Sequence, residues 1–133
     1  MTTPLAIGET IGPISIAANN PWNDTSVILV AGGSYNFAAD GNWKDASIPA
    51  NADGYPTPIY LKPFEWMRRV PTQRFFKLIG TIGKSMESIV VIGSGRPGFV
   101  PTVSGPLFCF ANDVRFMYCN NHGELVLRVT RTA

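Results

Sequence analysis

The sequence is poor in the side chains that build most catalytic and transition-metal centres, with two cysteines and one histidine among 133 residues. Cys109 and Cys119 lack Cys-x-x-Cys spacing, and with His122 they cannot easily supply the four ligands of a structural zinc site. Free thiols are the favoured interpretation, with a disulfide around one loop as the alternative. No nucleophile is arranged around His122, and neither paired carboxylates nor a cofactor loop is found. The sequence therefore predicts no enzyme.

Charged residues are also scarce, at 15% of the chain against about 25% in an average domain. The 11 basic and 9 acidic residues nearly balance, which leaves a formal charge of +2. The basic residues are scattered, apart from Arg68, Arg69, Arg74 and Lys77 near one bend. Nucleic acid is normally bound by a dense stripe of Lys and Arg. A solvated edge is therefore favoured, and no nucleic-acid partner is predicted.

Long apolar runs are missing as well. No window of about 20 apolar residues exists, so no membrane span is predicted. The N-terminus also lacks the basic patch and apolar run of a secretory signal. We expect either a cytoplasmic protein or one that is secreted without a recognisable signal peptide.

The chain does contain many turn-forming residues, 13 Gly and 11 Pro, between short apolar runs or runs that alternate with a period of two. This pattern predicts a single all-β domain over residues 1–133, folded as an antiparallel two-sheet β-sandwich. From Glu124 to Thr130, for example, Leu125, Leu127 and Val129 face away from the intervening residues. The predicted strands are Ile14 to Ala17, Ser26 to Ala31, Phe75 to Ile82, Ser88 to Ile92, Gly105 to Asn112 and Glu124 to Thr130.

The stretch from Asn36 to Pro71 is rich in proline and shows no clear period. An irregular stretch of this length in a compact domain is usually functional or carries hidden structure. We expect one helical turn from Phe64 to Arg69.

The segment from Phe110 to Gly123 is dense in oxygen donors and lies between two predicted strands. Calcium binds about 6 to 8 oxygens, and Asp113, Asn120 and Asn121 can supply a carboxylate and two amide oxygens. A plain tight turn is the alternative, since Asn, Asp and Gly are the usual residues of turns. The spacing excludes an EF-hand loop.

The order Asn112-Asp113-Val114, five residues, Asn120-Asn121, one residue, Gly123 resembles the calcium and sugar loop of the bacterial PA-IL-like galactophilic lectins. The resemblance covers most of the chain but is concentrated in a few patches. The patches outside the loop are Ser26 to Tyr35, Leu78 to Gly83 and Ser104 to Leu107.

This resemblance implies a jelly-roll or galactose-binding-domain-like sandwich that holds one Ca²⁺ per chain and forms a homotetramer. Two vicinal sugar hydroxyls would complete the calcium shell. The side chains of Asp113, Asn120 and Asn121 would be calcium ligands, and Tyr35 and Met117 would offer backbone carbonyls. Asp113 and Asn120 would also contact the sugar, as would the backbone amide of Val114.

The sequence departs from the family pattern on the long loop, where a His and a Gln hold galactose in the family. Asn51 and Asp53 occupy this region and are candidate substitutes, with turn formation before Gly54 as the favoured alternative. Galactose preference is therefore left open. Arg115-Phe116 replaces the usual Pro-Gly of the calcium loop. The segment from Pro56 to Arg74 resembles an insertion that forms either a lip over the site or a contact between chains.

The tryptophans and loop acids have weaker interpretations. Trp43 either stacks on the sugar or packs, since aromatic faces bind the apolar side of sugars. Trp22 is expected in packing and Trp66 in the core or an interface. Asp40 and Asp45 are expected as solvated loop acids, with added charge near the metal as the alternative.

Taken together, the residues predict a calcium-dependent carbohydrate-binding protein. The alternative is a β-sandwich interaction or assembly module with a structural Ca²⁺, or with no ion, and without sugar binding.

Overall fold

The computed structural model describes residues 3–133, in which eleven strands form two antiparallel sheets. The strands are β1 (Thr10–Ala17), β2 (Asn23–Leu29), β3 (Tyr35–Asp40), β4 (Trp43–Asp45), β5 (Ile48–Ala50), β6 (Asp53–Tyr55), β7 (Phe75–Ile82), β8 (Ile89–Val91), β9 (Gly95–Phe99), β10 (Gly105–Ala111) and β11 (Asn121–Arg131). Two 3-10 helices are present, Ile59–Met67 and Tyr118–Asn120.

The first sheet has the order β5-β4-β11-β3-β9, with β1 also paired to β11. The second sheet has the order β2-β10-β7-β6, with β8 also paired to β7. One core cluster contains Phe37 and Leu127 from the first sheet and Leu78 and Leu107 from the second. The two sheets therefore enclose a common core, and the predicted antiparallel β-sandwich is confirmed.

Strand β11 organises the first sheet because it pairs with β1, β3 and β4 along its length. Leu125, Leu127 and Val129 are fully buried, whereas Arg128 between them is exposed. Each such buried side chain contributes about 1.5–3 kcal/mol of hydrophobic stabilisation. The alternation predicted for this strand is therefore confirmed, although the strand begins three residues earlier than predicted.

The prediction of an irregular stretch from Asn36 to Pro71 is wrong, because β3, β4, β5 and β6 lie within it or overlap it. Three of these strands have only three residues, which is too short for a period of two to be recognised. The predicted helical turn is present but lies earlier in the chain, at Ile59–Met67. Strand β9 was also missed, and its Pro97 is tolerated because β9 is an edge strand.

Both cysteines are free thiols, as the favoured interpretation predicted. Cys109 is buried in β10, and Cys119 is exposed in the 3-10 helix just before β11. The predicted packing role of Trp22 is also confirmed, because its ring meets those of Phe108 and Phe110 edge to face. Within residues 3–133, no helix is long and apolar enough to cross a membrane.

Asn112 fixes the chain that follows β10. Its side chain is fully buried, and its Oδ1 accepts a hydrogen bond from the Val70 amide at 3.0 Å. Its Nδ2 donates to the carbonyls of Val70, Gln73 and Arg74 at 2.9 to 3.1 Å. One amide therefore holds the end of the inserted segment against the loop that leads to β11.

We expect Asn112→Ala to lower the free energy of unfolding by about 2–4 kcal/mol, because it leaves several buried backbone groups without partners. Urea denaturation measures this loss. The exposed Asn42 is the matched control, and Asn42→Ala is expected to change stability by less than about 0.5 kcal/mol. Similar stabilities for the two variants would contradict the role assigned to Asn112.

Candidate functional site

The candidate site lies where β10 ends and β11 begins. Strand β4 pairs with the first residues of β11, which places Asp45 opposite Asn121. The Ala46 amide donates to the Asn120 carbonyl at 3.1 Å. These pairings bring Asp45 close to the loop that carries Asp113 and Asn120.

Asp113 is the buried acid of the site, with 3% of its surface exposed. Its Oδ1 accepts from the Val114 amide at 2.7 Å, and its Oδ2 accepts from Asn121 Nδ2 at 3.0 Å. Burial raises the pKa of Asp113 to about 6, although the hydrogen bonds from Asn121 and Val114 oppose this shift. The charge of Asp45 adds a smaller upward contribution to this pKa. The carboxylate therefore lacks a compensating positive charge.

Two buried amide oxygens next to this acid have no hydrogen-bond donor: Oδ1 of Asn120 and Oδ1 of Asn121. The orientation of the Asn121 amide is fixed, because its Nδ2 donates both to Asp113 and to the Ala18 carbonyl. A buried acceptor without a partner costs about 1–3 kcal/mol, so such atoms normally have a water or an ion beside them. Three neighbouring side chains thus present oxygens that lack positive partners.

This set of donors suits a hard cation. Calcium accepts carboxylate and side-chain amide oxygens, whereas zinc sites are built from Cys, His and carboxylate ligands. Within residues 3–133, no group of three or more His, Cys, Asp or Glu side chains could hold a metal ion. A cation bound here would therefore depend on the asparagine amides as well as on Asp113.

A cavity of about 260 Å³ opens beside the cluster. Its polar lining includes Asp45, Asp113 and Asn120, while most of its wall is apolar. Part of that wall comes from the 3-10 helix Ile59–Met67, so the segment from Pro56 to Arg74 forms a lip beside the cavity. The apolar lining residues are Ala46, Ile48, Tyr60, Leu61, Phe64, Met67, Phe75, Val114, Phe116 and Met117.

The backbone of the lip is hydrogen-bonded to the loop that carries Asp113. Arg68 forms an antiparallel bridge with Val114, and the Arg69 amide donates to the Asp113 carbonyl at 3.0 Å. The guanidinium of Arg68 also lies 4.9 Å from the centre of the Phe75 ring. The position of the lip is thus coupled to the position of the buried acid.

Among the predicted site residues, the structure brings Asp113, Asn120 and Asn121 together, and Met117 lines the same cavity. Val114 is also present, but its amide donates to Asp113 Oδ1. That amide is therefore occupied within the protein and is not available to a sugar in this conformation.

Tyr35 is not at the site. It pairs with Arg131 at one end of β11, whereas Asn121 is at the other end. Ten residues at about 3.3 Å each separate these ends by about 33 Å, so the Tyr35 carbonyl cannot share an ion with Asn121 of the same chain.

Trp43 is in the core. Its side chain is fully buried, its Nε1 donates to the Phe76 carbonyl at 3.1 Å, and its ring meets the Phe76 ring edge to face. Neither face of the indole is available for stacking on a sugar, so the packing alternative for Trp43 is the correct one.

Asn51 and Asp53 form hydrogen bonds within the protein. Asn51 Oδ1 accepts from the Asp53 amide at 2.9 Å, and the Asp53 carboxylate accepts from the Ser94 amide and hydroxyl at 2.8 and 2.7 Å. These bonds to Ser94 lower the pKa of Asp53. Neither residue lines the cavity, which contradicts the sugar-binding interpretation. The turn interpretation holds for the Asn51 side chain, whereas the Asp53 carboxylate ties the start of β6 to Ser94.

Comparison with known proteins agrees with this architecture. No family model matches the sequence, and no curated protein matches it at a significant level. Among solved structures, the N-terminal domain of EclA, a PllA-like lectin, is similar with a TM-score of 0.71 and 21% sequence identity. The similarity covers 92% of this chain and 97% of that domain.

The chain has the fold of a PllA-like lectin. The predicted relationship to PA-IL-like lectins is therefore confirmed at the level of the fold. At this identity the similarity does not establish which residues bind a ligand, so the assignment of the site rests on its own geometry.

For Asp45 the favoured interpretation, a solvated acid, is wrong, and the alternative that it adds charge near the site agrees with its position. Asp45 is partly buried, lines the cavity and accepts a hydrogen bond from the Tyr55 hydroxyl. Tyr60 and Phe64 were missed as individual lining residues. No local signal identifies them, because their places depend on the pairing of three-residue strands and on the docking of the lip.

We expect the metal-free protein to lose stability as the pH rises from about 4 to about 6. The folded-state pKa of Asp113 is about 6, above its ordinary value of 3.8, so the unfolded chain releases this proton first. A shift of this size corresponds to about 3 kcal/mol. Urea denaturation in a chelator at several pH values should show this loss in the wild type.

Asp113→Asn should lack this pH-dependent loss while retaining the contributions of the other titrating groups. The difference between the two proteins isolates Asp113. A difference that is constant between pH 4 and 7 would contradict the raised pKa.

Proposed function

We propose that this protein is a lectin that binds carbohydrate through a calcium ion held by Asp113, Asn120 and Asn121. The lectin fold supports carbohydrate binding in general terms. The observation that carries the proposal is the pair of buried amide oxygens without donors beside the buried Asp113 carboxylate.

The side chains present fit a calcium ion. Three oxygens come from Asp113, Asn120 and Asn121, and the backbone carbonyl of Met117 is a further candidate because Met117 lines the cavity. A carboxylate with a raised pKa gains most from a cation, since the positive charge favours its ionised form. Asp45 adds negative charge nearby, which strengthens the attraction.

A calcium ion at this position would offer coordination sites at which two vicinal sugar hydroxyls can replace water. The residues of this chain then orient the sugar. Asp45 and Asn120 present polar groups at the cavity lining, while Tyr60 and Phe64 present aromatic surface suited to the apolar face of a sugar ring.

Galactose preference does not follow from these residues. The His and Gln that hold galactose in the PA-IL-like lectins are absent, and their suggested substitutes Asn51 and Asp53 are held by hydrogen bonds away from the cavity. We propose that the lip residues Tyr60, Leu61 and Phe64 determine which sugars enter.

Isothermal titration calorimetry with a panel of monosaccharides tests this function. We expect at least one sugar to bind in calcium and to lose binding in a chelator. Asn120→Ala and Asn121→Ala are each expected to weaken the calcium-dependent binding by at least about tenfold, because each removes a proposed ligand. Calcium should also raise the melting temperature of the wild type.

Asn51→Ala is the matched control, because it changes the same residue type in a turn away from the cavity. It should leave calcium and sugar binding unchanged. Absence of chelator-sensitive binding to every sugar in the panel would refute the proposed lectin function.

The second candidate function is an interaction or assembly module, with a structural Ca²⁺ or no ion. It is favoured by the outer surface of the lip, where Ile59 and Trp66 are 86% and 73% exposed. The core interpretation of Trp66 is therefore wrong, and the interface interpretation is the one to test. Exposed apolar surface of this kind is often covered by a partner.

We propose that copies of this chain associate through the lip. This association is compatible with the module that binds no sugar, and if the lectin proposal also holds, the assembly would combine several weak sugar sites. Sedimentation velocity should show an oligomer for the wild type and a smaller species for the double variant Ile59→Ser, Trp66→Ser. Sugar affinity per site should be unchanged in this variant. A wild type that is monomeric at all concentrations would exclude this assembly.

A further inference from the structure

A second cavity, of about 150 Å³, is lined by Pro21, Trp22, Arg69 and Arg115. It shares no lining residue with the cavity beside Asp113. A water molecule needs only about 10–15 Å³ of such volume, so a larger ligand fits. None of its lining residues has a role in the proposed lectin function.

Arg69 is held rigidly in this cavity, with only 8% of its surface exposed. Its Cζ lies 3.4 Å from the centre of the Phe110 ring and 4.3 Å from that of the Trp22 ring. Its Nη1 donates to the Pro21 carbonyl at 2.6 Å and to the Tyr118 hydroxyl at 3.0 Å. The cation–π contacts and these two hydrogen bonds fix the position of the guanidinium.

The other edge of the same guanidinium has no partner. Nε and Nη2 of Arg69 are buried and donate no hydrogen bond. These two nitrogens form the edge that binds a carboxylate or phosphate through two parallel hydrogen bonds. Buried N–H groups of a charged side chain are costly when left unpaired.

The positive charge at this cavity is also uncompensated. The ion pairs among residues 3–133 join Lys62 and Arg68 to Glu65 and Arg128 to Asp40, and none includes Arg69 or Arg115. Burial lowers the pKa of Arg69, Tyr118 opposes this shift through its charge and its hydrogen bond, and the nearby charge of Arg115 adds a smaller lowering. An anion would relieve both effects.

We propose that Arg69 and Arg115 form a binding site for an oxyanion: phosphate, sulfate or a carboxylate group. The fixed edge of Arg69 binds two oxygens of the anion. Arg115 is exposed, so its side chain is free to turn away on entry and then to pair with a remaining oxygen.

The direct test is nuclear magnetic resonance of the arginine Nε–H groups in ¹⁵N-labelled protein. Inorganic phosphate, inorganic sulfate and acetate are titrated separately at constant ionic strength, in a chelator so that the result is independent of calcium. We expect the Arg69 Nε–H signal, assigned with Arg69→Lys, to shift and saturate with at least one anion. The Arg128 Nε–H signal is the internal control and should not saturate.

Arg115→Gln should raise the apparent dissociation constant for that anion about tenfold, because it removes one charge-assisted contact while leaving Arg69 in place. Since Arg115 is exposed, this variant should fold as the wild type does. Preference for phosphate or sulfate over acetate would assign a tetrahedral anion, and the reverse would assign a carboxylate. An Arg69 signal that moves with none of the three, or moves equally in Arg115→Gln, would overturn the proposal.

Discussion

The hydrogen bond from Asn121 Nδ2 to Asp113 Oδ2, at 3.0 Å, ties the end of β10 to the start of β11. These strands belong to different sheets, so the bond joins the two layers at one end of the sandwich. Because it is buried, breaking it would leave a carboxylate and an amide without partners in a poorly solvated place. The orientation of Asn121 Oδ1, which has no donor of its own, follows from this bond and from the bond to the Ala18 carbonyl.

The inserted segment depends on the same end of the sandwich. Asn112 holds Val70, Gln73 and Arg74, and the Arg69 amide holds the Asp113 carbonyl. The lip therefore cannot shift without disturbing backbone next to the buried acid. This coupling gives a physical reason why the apolar wall and the polar cluster form one cavity.

Two kinds of polar groups without hydrogen-bond partners lie near the loop between β10 and β11. The Asp113 cluster presents oxygens without positive partners, and Arg69 presents N–H groups without acceptors. They do not neutralise each other, because Arg69 contacts Asp113 through its backbone amide while its guanidinium lies over the rings of Trp22 and Phe110. A cation at the Asp113 cluster and an anion at Arg69 are therefore the ligands that we propose.

Sequence patterns determined the fold class and the central part of the site. Alternation in β11 depends only on the pleat of a strand, so Leu125, Leu127 and Val129 could be placed in the core without coordinates. Asp113, Asn120 and Asn121 come together in the structure because they are close in the sequence. Asp113 and Asn120 lie in the short segment between β10 and β11, and Asn121 is the first residue of β11. The residue types and their short separation in the sequence were therefore sufficient to predict that these three residues lie together.

Tertiary structure decided which more distant residues joined the site. Trp43 and Asp45 are two residues apart, yet strand pairing buries Trp43 in the core and brings Asp45 to the cavity. The register of β3 against β11 likewise places Tyr35 at the end of β11 that is far from Asn121. Packing of the lip beside the site adds Tyr60 and Phe64 to the cavity wall. Such placements follow from contacts between segments far apart in sequence, and those contacts leave no periodicity or spacing along the chain.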